Sequence, residues 1–299
     1  VPTPQPRRLR RVDRVHGSTA LGADGQVDKK SIVIPPGYWD LFDPFLMLSE
    51  DWFCKPGFEW HPHRGIETVT VILDGALEHG DNRGNAGVLG PGDIQWMTAG
   101  SGIIHRELAH RDEHVHTLQL WVNLPSSHKL VDARYQDFTP ASMAVDAGPG
   151  TRVEIVAGGS GDLQGPADTH WPVTGRQVSI EPGRHVHVPL PGADRAFVYV
   201  LSGNVLVGRD REPLAAGEVA WSDPLGDDSG DDSASESSLE LHAPEGDEVV
   251  RAIVFSGRPI GEPVAARGPF VMNTAAEIQQ AFVDFHAGTF GDVPALARL

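Results

Sequence analysis

The sequence predicts an all-β protein: two tandem barrels of jelly-roll type followed by one C-terminal helix. Three observations carry this expectation. Apolar residues alternate with a period of two in "SIVIPPG", "IETVTVILDG", "HTLQLWVNLP", "TRVEIVAGG", "RQVSIEPG", "AFVYVLSGNVLVG" and "EVVRAIVFSGRP", the pattern of strands with one buried face. The chain holds 34 Gly and 24 Pro, which close short strands in tight turns. The two halves also echo each other. "VILDGALEH" followed by "VLGPGDIQWM" has its counterpart in "YVLSGNVLVG" followed by "PLAAGEVAWS". Each reads as strand, Gly turn, strand, then a Gly-acid turn into a strand ending near Trp96 or Trp221, an internal repeat.

Taken in order, the basic stretch "RRLRRVDR" (7–14) reads as a solvated, poorly ordered end. The first barrel is expected over 1–138 and the second over 139–299, with the linker near "RYQDFTPASMAVDAGPG" (134–150). Residues 223–238, "DPLGDDSGDDSASESS", have almost nothing apolar and read as a disordered or mobile acidic loop. The end changes period: Ile278, Ala281, Phe282 and Phe285 fall three and four apart, an amphipathic helix. Asn273 or Thr274 is its N-cap, Glu277 completes a capping box with Thr274, and Gly288 ends it.

Charge and composition narrow the function. The 299 residues carry 41 acids against 24 Lys and Arg, a net charge of −17. Such a surface repels phosphate backbones and argues against direct nucleic-acid binding. No apolar run of 18 residues exists to span a membrane as a helix, and no secretory signal is read. The single cysteine, Cys54, allows no intrachain disulfide and reads as a buried structural thiol, in keeping with a cytoplasmic location. Richness in Ala, Gly, Arg and Asp fits a bacterial source.

The chemistry concentrates in "HPHRGIE" (61–67). On a strand, positions i and i+2 share a face, so His61, His63 and Glu67 are expected on one face of one strand. A second pair at the same spacing, His105 and Glu107, lies in "GSGIIHRE". Hairpin-length turns separate the two segments, so one barrel can bring His61, His63, His105 and Glu107 around one point. Imidazole and carboxylate together suit Fe, Mn, Ni, Cu or Zn. Four such groups buried without a metal would each need its own partner. Glu67 is expected as a group that orients a ligand or as a general base. Trp96, Met97 and Ile104 are the apolar residues expected to line a substrate pocket. The second barrel's own pair, His185 and His187, has no following His-x-Glu and reads as a degenerate copy.

These segments, with "DPFLMLSEDWF", "LQLWVNLP" and the tail "GEPVAARGPFVMNTAAEIQQAFVDFHAGTFG", resemble the pirin family of the cupin superfamily over nearly the whole chain. The resemblance implies a bicupin with one iron, Fe2+, in the N-terminal barrel, held by His61, His63, His105 and Glu107. It implies one of two functions. The first is a quercetin 2,3-dioxygenase, which cleaves a flavonol with O2 and releases carbon monoxide, with Glu107 or Glu67 taking the phenolic proton. The second is an iron-dependent regulatory protein that binds a transcription factor or a metabolic enzyme.

Overall fold

The computed structural model describes residues 8–54, 57–225, 236–246, 248–295 and 298–299. By their contacts the residues fall into two compact units, each built on two main β-sheets with a separate two-stranded ribbon. One unit comprises Thr19–Ala141 with the segment from Ile260 onward. Its seven-stranded sheet runs in the order Arg134–Phe138, Ile94–Thr98, Ile66–Gly75, Val115–Asn123, Phe45–Phe53, Lys29–Ile34 and Thr19–Leu21. Its four-stranded sheet runs Phe58–His63, Ile103–Ala109, Leu77–Asp81 and Ala86–Leu89. The inner faces of the two sheets meet, as the hydrogen bond from Thr70 of the large sheet to Glu107 of the small one shows. This is the sandwich that antiparallel sheets with one apolar face form.

The other unit comprises Ser142–Pro259 with the chain up to Ser18. Its larger sheet runs Ala144–Gly148, Thr151–Ala157, Val173–Ile180, Val250–Gly257, Arg195–Ser202, Glu218–Ser222 and Arg14–Gly17. Its smaller sheet is built around strand Glu236–His242. Val188, Leu190, Val198, Val205, Leu239, Leu241 and Val254 fill the core between them. The internal repeat is visible in the backbone. Gly75 and Gly203 occupy matching turns at φ +74° and +77°, a conformation costly for residues with a Cβ. At Gly75 that atom would also meet the His114 carbonyl oxygen.

Several expectations are corrected here. The unit boundaries differ from 1–138 and 139–299, because each barrel takes strands or a helix from beyond its own segment. Strand Arg14–Gly17 pairs with Glu218–Ser222 of the second barrel, and helix Ala275–His286 packs on strand Phe270–Met272 in the first unit. The expected linker is mostly strand, with residues 139–143 joining Arg134–Phe138 to Ala144–Gly148. Residues 8–14 of the basic stretch are built into the fold. Arg8–Leu9 pairs with Ser237–Ser238, and Arg10 is fully buried, its guanidinium donating to the carbonyls of Gly192, Asp194 and Asp223. All three bonds come from Nη2, while Nε and Nη1 are buried without partners among the described residues; the charges of Asp194, Asp13 and Asp223 offset part of the cost of burying the cation. Burial still pushes its pKa down to about 10. Cys54 is half-buried rather than buried.

Most of the expected acidic loop, 226–235, lies outside the described residues. Its first residue, Asp223, bonds Arg14 and Arg195, and its last three residues belong to strand Glu236–His242. The helix is as expected: Thr274 caps it, accepting from the Glu277 amide while Glu277 bonds back to the cap.

Candidate metal centre

The stretch expected to be one strand is two. Phe58–His63 belongs to the small sheet and Ile66–Gly75 to the large one. The chain crosses between them at Arg64 and Gly65. Gly65 sits at φ +78°, and a Cβ there would run into the Val271 carbonyl oxygen, so glycine is required. Lys129, itself buried, holds the same crossing. Its ammonium donates to the Gly65 and Val271 carbonyls and to Asn123 at 2.8, 3.0 and 2.6 Å. Burial drives the Lys129 pKa down to about 7.

This crossing puts His61 and His63 on the small sheet beside strand Ile103–Ala109, where His105 pairs directly with His61. One ring nitrogen from each of His61, His63 and His105 lies within 4.8 Å of the others. The ring centroids stand 4.9 Å apart for His61 and His63, 4.3 Å for His61 and His105, and 5.1 Å for His63 and His105. Two of the rings are oriented by backbone carbonyls: His61 Nδ1 bonds Glu59 O at 2.7 Å and His63 Nδ1 bonds Pro269 O at 3.3 Å. Donation at Nδ1 fixes the tautomer with the lone pair on Nε2. Nε2 of His63 and both ring nitrogens of His105 are buried with no hydrogen-bond partner. Orphaned buried nitrogens are costly.

Burial lowers the pKa of all three groups. For His63 the charge on His61 adds to this, and for His105 the charges on His61, His63 and His79 do. The rings are thereby held neutral, the form that binds a metal. Converging, neutral, unsatisfied imidazole nitrogens fit a first-row transition ion.

Glu107 follows on the same face as His105, but among the described residues the three-His group does not include it. Its carboxylate accepts from Thr70 Oγ1 at 3.0 Å and from Gln119 Nε2 at 2.7 Å, both on the large sheet. Gln119 Oε1 in turn accepts from the Trp121 indole at 3.3 Å. The Trp121 ring stands edge-on to His63 with centroids 5.1 Å apart. Tyr135, half-buried with its hydroxyl turned inside, stacks on His79, and burial, with the charge of Glu107 next in effect, raises its pKa well above the usual phenol value.

Register decides the remaining residues. Thr68, Thr70, Met97, Gln119, Trp121 and Tyr135 share the inner face of the large sheet. Glu67 and Trp96, one residue out of step with Thr68 and Met97, take the opposite face. Glu67 there accepts from Thr98 Oγ1 at 2.7 Å, tying neighbouring strands. Ile104 alternates with His105 and packs into the cluster of Phe270, Met272 and Ile278. Of the three residues expected to line a pocket, only Met97 faces the histidines.

A cavity meets the site at Trp121, with no wall formed by His61, His63, His105 or Glu107. It measures about 290 Å³ and is lined by Trp39, Leu46, Met47, Trp121, Arg267 and Val271, among others. That volume is near the lower end of small-molecule sites, ~300–1,000 Å³. Thr70, Gln119, Trp121 and Tyr135 were not foreseen. Their only sequence signal is the alternation of strands that a distant pairing turns toward the histidines.

A pair of jelly-roll barrels, the first turning three histidines onto its inner face, defines a bicupin. Comparison with known proteins narrows the class. The family models for pirin and for the pirin C-terminal cupin domain match residues 25–122 and 176–291. Pirin-like protein 2 of Arabidopsis thaliana is 39% identical over 286 residues, covering 94% of this chain and 85% of that protein. A Pseudomonas aeruginosa protein described as a candidate quercetin 2,3-dioxygenase is 40% identical, covering 83% of this chain and 86% of that one. A crystal structure of quercetin 2,3-dioxygenase from Acinetobacter baumannii superposes with a TM-score of 0.81 at 29% identity, over 96% of this chain and all of that one. The chain belongs to the pirin family.

Proposed function

We propose that this pirin is a metal-dependent dioxygenase that cleaves the oxygen-bearing ring of a flavonol of the quercetin type. The observation that carries the reading is the group of converging imidazoles beside an apolar, indole-walled cavity. The likeness to proteins described as quercetin 2,3-dioxygenases agrees with it. His61, His63 and His105 would hold the metal, with Glu107, two residues beyond His105 on the same strand, as a carboxylate donor. Iron is the first choice and nickel, copper, manganese or zinc the alternatives. When bound, the metal supplies Lewis acidity and a template for the substrate's 3-hydroxyl.

The chain's own residues do the rest. Trp39 and Trp121 offer aromatic faces for a flat polyphenol, and Arg267 at the cavity offers a cation to its hydroxyls. Glu107 takes the phenolic proton, with Thr70 and Gln119 holding its carboxylate in place. Glu67, which faces the other way, ties the strands instead. Loss of the proton makes the flavonol electron-rich toward O2. One O2 adds two oxygen atoms to the ring, which opens to a depside and releases one carbon monoxide.

The test is oxygen uptake with quercetin by the metal-loaded chain, beside Glu107→Gln. Turnover should fall by about 10²–10⁴-fold in the variant while quercetin still quenches tryptophan fluorescence. Equal turnover in the variant would remove Glu107 from the reaction.

A further inference from the structure

The second barrel's histidine pair is not a worn copy of the first. In strand His185–Pro191, Val188 and Leu190 are buried in the barrel core, at 0% and 2% exposure. Alternation therefore turns His185 and His187 to the outer face, where both are exposed. The neighbouring strand Glu236–His242 buries Leu239 and Leu241 and turns Glu240 and His242 outward in the same way. Antiparallel register sets His185 opposite His242 and His187 opposite Glu240. Four ligand-type groups thus stand at the corners of one cross-strand patch, the separation at which facing side chains meet.

The donor atoms of His185, His187 and Glu240 lie within 4.8 Å of one another. The His185 and His187 rings stand edge to face with centroids 5.7 Å apart, and the His242 ring is 6.1 Å from that of His185. Nδ1 of His242 is buried without a hydrogen-bond partner. Among the described residues no hydrogen bond or ion pair occupies the side chains of His185, His187 and Glu240. Exposed side chains turn at little cost, so these donors can close to the ~2.0–2.2 Å that zinc requires of His and carboxylate ligands. A chain of net charge −17 draws cations to its surface.

We propose that His185, His187 and Glu240 form a second, external site for a divalent first-row cation of the Zn2+ type, with His242 as an adjacent fourth donor. The site is separate from the inner histidines and independent of any activity they carry.

Zinc itself is the probe. The full chain, free of any affinity tag, is dialysed against buffered Zn2+, and bound metal is counted by elemental analysis. Wild type should retain roughly two equivalents, one per donor cluster. His185→Ala/His187→Ala should lose one, with its far-UV circular dichroism unchanged because both side chains are exposed. His61→Ala/His63→Ala should lose the other. As a second readout, Zn2+ should shift the imidazole 15N resonances of His185 and His187 in the chain lacking His61 and His63. Uptake of a single equivalent that depends on the inner histidines alone would overturn the proposal. So would a second equivalent that survives loss of His185 and His187, which would place it on the acidic surface.

Discussion

At the residue scale, the inner site depends on side chains that hold other side chains. Gln119 connects Trp121 in the cavity wall to the Glu107 carboxylate. Gln119→Leu should retain the metal but lower quercetin turnover about 10- to 100-fold, the usual effect of removing a group that orients a ligand or base. Metal analysis beside oxygen uptake checks this. Lys129 acts on the backbone instead. Lys129→Met leaves the Gly65 and Val271 carbonyls unsatisfied, and at ~1–3 kcal/mol for each such group should lower the urea midpoint with no change in slope.

Lys129 also makes stability depend on pH. The unfolded chain holds its proton up to the ordinary value of 10.5, whereas the folded chain releases it near 7. Between these values the unfolded state binds more protons, so stability rises with pH, by up to about 1.4 kcal/mol per unit. Urea titrations at pH 7 and pH 10 should show wild type gaining relative to Lys129→Met. A constant difference would contradict a folded-state pKa for Lys129 below its ordinary value.

At the scale of elements, the decisive feature is the break at Gly65. The period of two made the His61/His63 pair and the His105/Glu107 pair legible, because each pair lies within one strand. The same period misplaced Glu67 once the strand was taken to run on through Gly65. The strand instead ends at His63, and the chain restarts in another sheet. Ile104 was readable in principle, since the neighbour of an inward residue must face outward. So were His185 and His187, which alternate with Val186, Val188 and Leu190. Thr70, Gln119 and Trp121 were not readable, because their place beside the histidines depends on how two sheets with interleaved strands pack face to face.

Two substitutions probe these elements. Gly65→Ala should disorder the crossing and lose metal at the inner site, measured by elemental analysis on the soluble chain. Thr274→Ala removes the capping box and should cost about 1 kcal/mol, with faster hydrogen exchange confined to the first turn of helix Ala275–His286.

At the scale of the whole molecule, the two-barrel architecture was legible because the Gly-marked repeat recurs in both halves. The exchange of terminal segments between the barrels was not, since pairing partners such as Arg14–Gly17 and Glu218–Ser222 leave no local mark. A metal that binds only the folded chain stabilises it by mass action, by about 2.7 kcal/mol at a hundredfold excess over Kd. Fe(II) should therefore raise the melting temperature of His185→Ala/His187→Ala in a concentration-dependent way, and the further change His61→Ala should abolish the rise.

The most direct test of the central claim is carbon monoxide release from quercetin and O2, using protein loaded anaerobically with Fe(II), with His61→Ala alongside. The inner-site account predicts release by the wild-type chain in step with O2 consumed, and none from the variant. No carbon monoxide from wild-type protein shown to hold iron, or equal release from both, would contradict it.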